Sequence, residues 1–142
     1  MRRIVRPELL DSQQGTPEEI KRSLEDLRFI NRWFGGLSTS KWLIRRVLSE
    51  TRLPSLSILD VGAASGDGIE AIQKTLAQTA IRGTLLDRNP ANFNGTRAAK
   101  VAGDAVSLPF RDQAFDVVIC SLFAHHLEPE QIVMFVDDAL RI

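Results

Sequence analysis

Residues 57–68, Ser-Ile-Leu-Asp-Val-Gly-Ala-Ala-Ser-Gly-Asp-Gly, constrain the chain more than any other stretch. An apolar run that ends in an acid and breaks at once into small residues reads as a short buried strand, a tight turn and a helix start. Such a turn brings backbone N–H groups and a helix N-terminus close to a ligand, because small side chains let the main chain approach. The stretch is expected to be a ligand-binding loop, and the rest of the chain supplies what stands around it.

Upstream, Thr16, Pro17 and Glu19 form a helix opening, with Thr16 as cap and Glu19 completing a capping box. Ile20, Leu24, Leu27 and Ile30 recur at helical spacing until Gly35 and Gly36 stop the helix. A second helix is expected to begin near Ser38 or Ser40, to run through Trp42, Leu43, Val47 and Leu48, and to end before Pro54. Trp33, Phe34 and Trp42 gather at the Gly-Gly break, where their rings either seal the core or overhang a pocket.

From Leu56 onward short apolar runs alternate with helical stretches, the signature of strand–helix–strand units and a parallel sheet. Strands are predicted at Leu56–Val61, Gly83–Asp87 and Lys100–Ala102, with a turn at Asn89 and Pro90 and no clear pattern over 91–99. Phe115–Ser121 is apolar and β-branched enough to be covered on both faces and central. A final helix opens at Pro129 and carries the stripe Ile132, Phe135, Val136, Ala139, Leu140. The predicted fold class is α/β, a Rossmann-like parallel sheet flanked by helices and preceded by two N-terminal helices.

At 142 residues the chain is long enough for one domain with a core. With 44% hydrophobic and 25% charged residues and no apolar run near 18 residues, a membrane protein is excluded. The basic opening Met1–Arg6 lacks the hydrophobic segment of a signal peptide, so a cytoplasmic location is expected. Residues 1–52 carry eleven Lys/Arg against seven Asp/Glu. No aromatic or Gly-rich basic cluster accompanies that excess, which argues against a nucleic-acid partner. The one cysteine, Cys120, reads as a small core residue.

In an open parallel sheet the ligand lies beyond the carboxyl ends of the strands. There stand Asp60 with its small-residue turn, Asp87 with Arg88, Asp104 with Ala105, and Ser121 leading to His125 and His126. Gly66, Gly68 and Ala71 formally fit a dinucleotide fingerprint. Yet Gly66 lies five positions beyond Val61, and Asp60 and Asp67 would put negative charge beside a pyrophosphate. A cationic ligand without phosphate fits better. Asp87 stands where an acid accepts from ribose hydroxyls. Asp104 can accept from an exocyclic amine while the Ala105 N–H donates to a ring nitrogen. Ribose, adenine and a cation together point to S-adenosyl-L-methionine. The three acids also have a simpler reading as caps of the turns after their strands.

On these residues the chain resembles the class I S-adenosylmethionine-dependent methyltransferases, from Leu56 to Ile142. Asp60-Val-Gly-Ala-Ala-Ser-Gly66 is similar to the family's first motif, Asp-x-Gly-x-Gly-x-Gly. The resemblance implies that Asp60, Gly62, Ala63 and Gly66 line the methionine portion, with Asp87 on ribose, Arg88 along adenine and Asp104 and Ala105 at its edge. The run from Leu108 to Val118 is similar to the approach to the family's fourth strand. Ser121–Leu127 resembles the loop that follows in small-molecule methyltransferases of the quinone-biosynthesis type. The resemblance therefore implies a small-molecule acceptor, with Ser121 against the cofactor and His125 or His126 as base or acceptor-positioning group. For the histidines, local hydrogen bonding that shapes the loop is the competing role, and their spacing does not suit a metal.

Two departures stand out. Ala64 occupies the place of the family's middle glycine. The family's sheet has seven strands, whereas four are legible here in the expected order 3-2-1-4. Residues 1–54 are then expected to be a helical segment on the lid side, and 55–142 the N-terminal half of a methyltransferase domain. The open edge of the fourth strand invites self-association, and a non-catalytic S-adenosylmethionine-binding or assembly module is the alternative function.

Overall fold

The computed structural model describes residues 15–89, 93 and 96–142. The basic stretch Met1–Arg6, Pro90 of the expected turn, and most of 90–95 lie outside the described residues.

Helix α1 spans Pro17–Trp33 and begins as its opening residues require. The Glu19 N–H donates to the Thr16 hydroxyl at 3.3 Å and the Thr16 N–H to the Glu19 carboxylate at 2.8 Å, a closed capping box. Helix α2 spans Gly36–Thr51, starting earlier than Ser38. Gly35, at φ 94°, ends one helix and caps the next, because the Thr39 N–H and the Ser38 hydroxyl both donate to its carbonyl. Two glycines read as a stop serve as both stop and start.

Four parallel strands follow, β1 (Ser55–Val61), β2 (Ala80–Asp87), β3 (Ala99–Ala102) and β4 (Val117–Ile119), in the order β3-β2-β1-β4. Helix α3 (Asp67–Thr75) joins β1 to β2, and α4 (Pro129–Arg141) follows β4 after a short 3₁₀ turn at Ala124–His126. Strand β2 starts three residues ahead of Gly83, since Ala80, Ile81 and Arg82 pair with Ser55, Leu56 and Ser57. The sequence hid this because Ala80 and Arg82 face outward and carry no apolar signal.

The continuous apolar run of β1 is explained by two cores, one on each face of the sheet. Leu56 and Ile58 pack with Ile44 of α2 and Ile69 and Ile72 of α3. Leu59 and Val61 pack on the other face with Leu86, Leu108, Leu127 and Phe135. Each such side chain, fully removed from water, contributes on the order of 1.5–3 kcal/mol.

Strand β4 takes its expected place beside β1 but is shorter than the run Phe115–Ser121 suggests. Only Val117–Ile119 pair, solely with β1 among the described residues, and all three are half-buried. Pairing is continued by other groups. The Asp116 carboxylate accepts from both the N–H and the hydroxyl of Ser57, at 2.8 and 2.6 Å, which holds its carboxyl below the usual range. The Phe115 N–H donates to the Ile142 carbonyl at 2.8 Å. Arg141 ties α4 to the loop before β4 through Asp112, at 2.8 Å, and the Phe110 carbonyl. Cys120 is half-buried against the second core, and burial pushes its thiol up to about 11, as suits a packing residue.

The aromatic cluster is also corrected. Trp33 is 68% and Phe34 77% exposed, and Trp42 faces water too, so none seals the core. Helical phase is the reason. Trp33 and Trp42 each lie two positions, about 200°, from the inward-facing Asn31 and Ile44.

Candidate cofactor site

The carboxyl ends of the strands meet on one side of the sheet, and the small-residue turn sits in their midst. As the chain leaves β1, the N–H groups of Gly62 and Ala63 both donate to the Leu86 carbonyl, at 2.9 and 3.2 Å, which folds the turn over β2. Gly62 has φ 69°, and a Cβ there would lie 2.3 Å from Cγ of Phe123. Gly66, at φ 75°, is pressed just as closely on Leu85. Between them Ala64 is held at φ 45°, a conformation that costs an L-residue on the order of 1 kcal/mol. Replacing it with glycine is expected to raise stability by up to about 1 kcal/mol, once the glycine's greater unfolded-state freedom is deducted. Denaturant unfolding of Ala64→Gly beside the parent chain measures this.

Asp60 lies beneath the turn, 6% exposed, with its carboxylate against Gly68 in the first turn of α3. Burial, and then the charges of Asp67 and Asp87, push its carboxyl up to about 7. Asp67 accepts from the Ser65 hydroxyl. Asp87 braces the loop: one carboxylate oxygen accepts from the Ala64 N–H at 3.1 Å and the other from the Asn89 N–H at 2.9 Å. Three acids thus converge on one small turn, an arrangement that favours a cation.

At the next strand end the residues assigned to adenine meet each other. The Arg88 guanidinium donates to the Asp104 carboxylate at 2.8 Å, and the other Asp104 oxygen accepts from the Val106 N–H at 3.1 Å. Both partners of that pair are well exposed, so it contributes little to stability and is readily exchanged for a ligand. Ala105 is 3% exposed and packs in the core, leaving its backbone as the part able to face a ring.

Helices α1 and α2 cover the end of the sheet beside the small-residue turn. Leu27, Arg28, Asn31, Leu37 and Ser40 line a cavity with Asp60, Gly62–Ser65, Asp67 and Ser121. The Ser121 hydroxyl donates to the Asn31 side-chain oxygen at 3.3 Å, which joins α1 to the end of β4. The cavity holds about 60 Å³, against roughly 300–1,000 Å³ for a typical ligand site.

A family described as "Methyltransferase domain" matches residues 59–142. The chain belongs to the class I S-adenosylmethionine-dependent methyltransferases. Over 107 residues the chain is 30% identical to a Mycobacterium ulcerans (strain Agy99) protein named "Probable phthiotriol/phenolphthiotriol dimycocerosates methyltransferase 2". That alignment takes in 70% of the chain and 40% of the relative, so the chain spans less than half the relative's length. Among solved structures, the plantazolicin methyltransferase BpumL, crystallised with a pentazolic desmethylPZN analog and SAH, superposes with a TM-score of 0.60 at 22% identity, covering 91% of this chain and 52% of that one. The sugar N-methyltransferase KedS8 from Streptoalloteichus sp. gives 0.58 at 20% identity, covering 82% and 47%. These two likenesses are of fold.

The matched region of the chain begins after α1 and α2, whose contributions to the cavity were not read from the sequence. A signal for them was present: residues 24, 27, 28 and 31 make one inward stripe of α1, and it turns from leucines to Arg28 and Asn31 where the cavity opens. The sequence stripe was continued instead to Ile30, which is 41% exposed. The two histidines of the chain stand one layer away from the cavity. Their rings lie 4.0 Å apart and His126 stacks on Phe123, the ring that covers Gly62. Among the described residues no group of three or more His, Cys, Asp or Glu has metal-holding geometry, and no helix is long and apolar enough to cross a membrane.

Proposed function

We propose that this site holds S-adenosyl-L-methionine and that the chain directs methyl transfer to a small molecule. The carrying observation is the convergence of Asp60, Asp67 and Asp87 on the turn, which leaves a buried carboxyl at about 7 and so calls for a positive ligand. The name of the M. ulcerans relative and those of the two fold neighbours, each a methyltransferase, support the reaction class.

In this reading Asp60, Gly62, Ala63 and Gly66 wall the methionine portion and Asp87 accepts from ribose. Arg88 covers adenine, Asp104 and Ala105 meet its edge, and Ser121 closes the floor beside the methyl group. When bound, the cofactor supplies an electrophilic methyl on a sulfonium. Direct transfer of that group would need the acceptor's oxygen, nitrogen or carbon held in line with it, so alignment would be the main task of the protein. An oxygen or nitrogen acceptor also gives up a proton, and His125 or His126 is placed to receive it or to orient the acceptor. Residues 1–54 serve as the lid over this end, 55–142 as the cofactor half of the domain, and the location is cytoplasmic.

The test is transfer of labelled methyl from S-adenosyl-L-methionine to phenolic and quinone-like acceptors by the intact chain. Turnover that falls in His125→Ala or His126→Ala with cofactor affinity retained supports the assignment. Binding without turnover across acceptors favours the non-catalytic reading. That second reading is favoured by one observation, the edge of β4, which among the described residues pairs with β1 alone and to which a second copy would add a strand. Light scattering that shows a concentration-dependent dimer tests the self-association.

A further inference from the structure

We propose that the corner where α1 turns into α2 is a docking surface for an anionic lipid bilayer. Trp33, Phe34 and Trp42 face water instead of the core, and Phe29, Ile30 and Leu43 are exposed with them. Residues 29–43 thus hold six of the twelve exposed large apolar side chains among the described residues, and every exposed Phe and Trp ring. Phe29 and Trp33 have ring centroids 6.2 Å apart, Phe34 caps the end of α1, and Trp42 stands about 9 Å along α2 from the corner. Exposed apolar side chains are ordinarily scattered singly, and their gathering at one corner marks an interaction surface.

Charge decides what the surface meets. Residues 28–46 carry five Lys/Arg and no Asp/Glu. Arg46 is held by Glu50 at 2.8 Å and Arg28 stands near Asp67, whereas Arg32, Lys41 and Arg45 form no ion pair among the described residues. Arg32 and Arg46 lie over the rings of Trp33 and Trp42, 5.9 and 6.0 Å from their centroids. Stems laid along rings with charged heads in water, beside tryptophans, suit a membrane interface, and the unpaired cations are drawn to anionic headgroups. A nucleic acid would also take cations and rings, but it has no use for Ile30 and Leu43, which the acyl boundary of a bilayer buries. The same corner reaches the end of β4, where the Ser121 hydroxyl donates to Asn31 and a Cβ on Gly36 would lie 3.2 Å from that hydroxyl oxygen. Docking therefore sets the bilayer beside the candidate site.

The chain has two tryptophans, both in this surface, and no tyrosine, so its own fluorescence reports the contact. The test is titration of the intact chain with vesicles of equal parts phosphatidylcholine and phosphatidylglycerol, and with vesicles of phosphatidylcholine alone. The expected result is blue-shifted emission on the anionic vesicles, quenched by lipid brominated on its acyl chains, with affinity about tenfold or more lower on phosphatidylcholine alone and in high salt. Phe34→Ser with Leu43→Ser keeps both tryptophans and is expected to lose about tenfold or more in affinity for the anionic vesicles. Arg32→Gln with Arg45→Gln is expected to remove most of the preference for them. Leu140→Ser, which changes an exposed leucine on α4, is expected to bind as the parent does. Unshifted emission on anionic vesicles overturns the proposal, as does parent-like affinity in the Phe34 and Leu43 variant or an equal loss in Leu140→Ser. A shift produced by single-stranded RNA and not by vesicles overturns it in favour of a nucleic acid.

Discussion

The ligand-free Asp60→Asn variant is expected to be more stable than the parent at pH 8, by on the order of 3–4 kcal/mol, and about equal to it at pH 4. The sign follows from the raised carboxyl. Unfolded, Asp60 ionises near its ordinary 3.8; folded, burial first and the charges of Asp67 and Asp87 second hold the proton to about 7. Between those values the native state binds more protons than the unfolded one, so stability falls as pH rises through the window. Asparagine keeps the shape and removes the charge, which flattens the curve. Asp116 and Asp138, whose carboxyls are held below the ordinary range, lose their contribution only at lower pH. Thermal midpoints of both proteins at pH 5, 6.5 and 8 measure the effect, and a parent as stable at pH 8 as at pH 5 would refute it. The same argument predicts that affinity for a cationic ligand rises from pH 6 to pH 8 in the parent and not in the variant.

Gly62→Ala is expected to destabilise by about 2–5 kcal/mol. A left-handed backbone at φ 69° costs an alanine on the order of 1–2 kcal/mol, and a Cβ 2.3 Å from Phe123 Cγ adds an overpacking cost of roughly 1–3 kcal/mol. The second cost belongs to a pair, so Phe123→Ala in the same chain is expected to recover it. A double-mutant cycle by denaturant unfolding checks this, with the combined loss smaller than the two single losses together. Strict additivity would show that the ring of Phe123 does not seal the turn.

The pattern of strands and acids carried most of the fold. The parallel strands were legible because the apolar runs at residues 56–61 and 83–87 each carry an acid at their carboxyl end, while their order 3-2-1-4 came with the resemblance to the family. Strand β4 was misjudged in length, since an apolar β-branched run reports that its faces are covered, not how many of its residues pair. Within the site, the turn and its three acids were legible, but their partners were not. That Asp87 accepts from Ala64, that Arg88 meets Asp104, and that Asn31 reaches Ser121 are contacts across 16 to 90 residues, which no local pattern encodes. Arg28 was overlooked for a different reason: its helix was read for its apolar face, and a polar residue on that face passed as a solvated one.

The central claim is that the strand ends hold S-adenosyl-L-methionine with Asp87 on the ribose, and titration of the intact chain and of Asp87→Ala with that ligand tests it most directly. The expected result is one-to-one binding that the substitution weakens by on the order of 1–3 kcal/mol, through lost hydrogen bonds to ribose and a loosened Ala64 turn. A folded Asp87→Ala protein with the parent's affinity, or a parent that shows no binding, would contradict it.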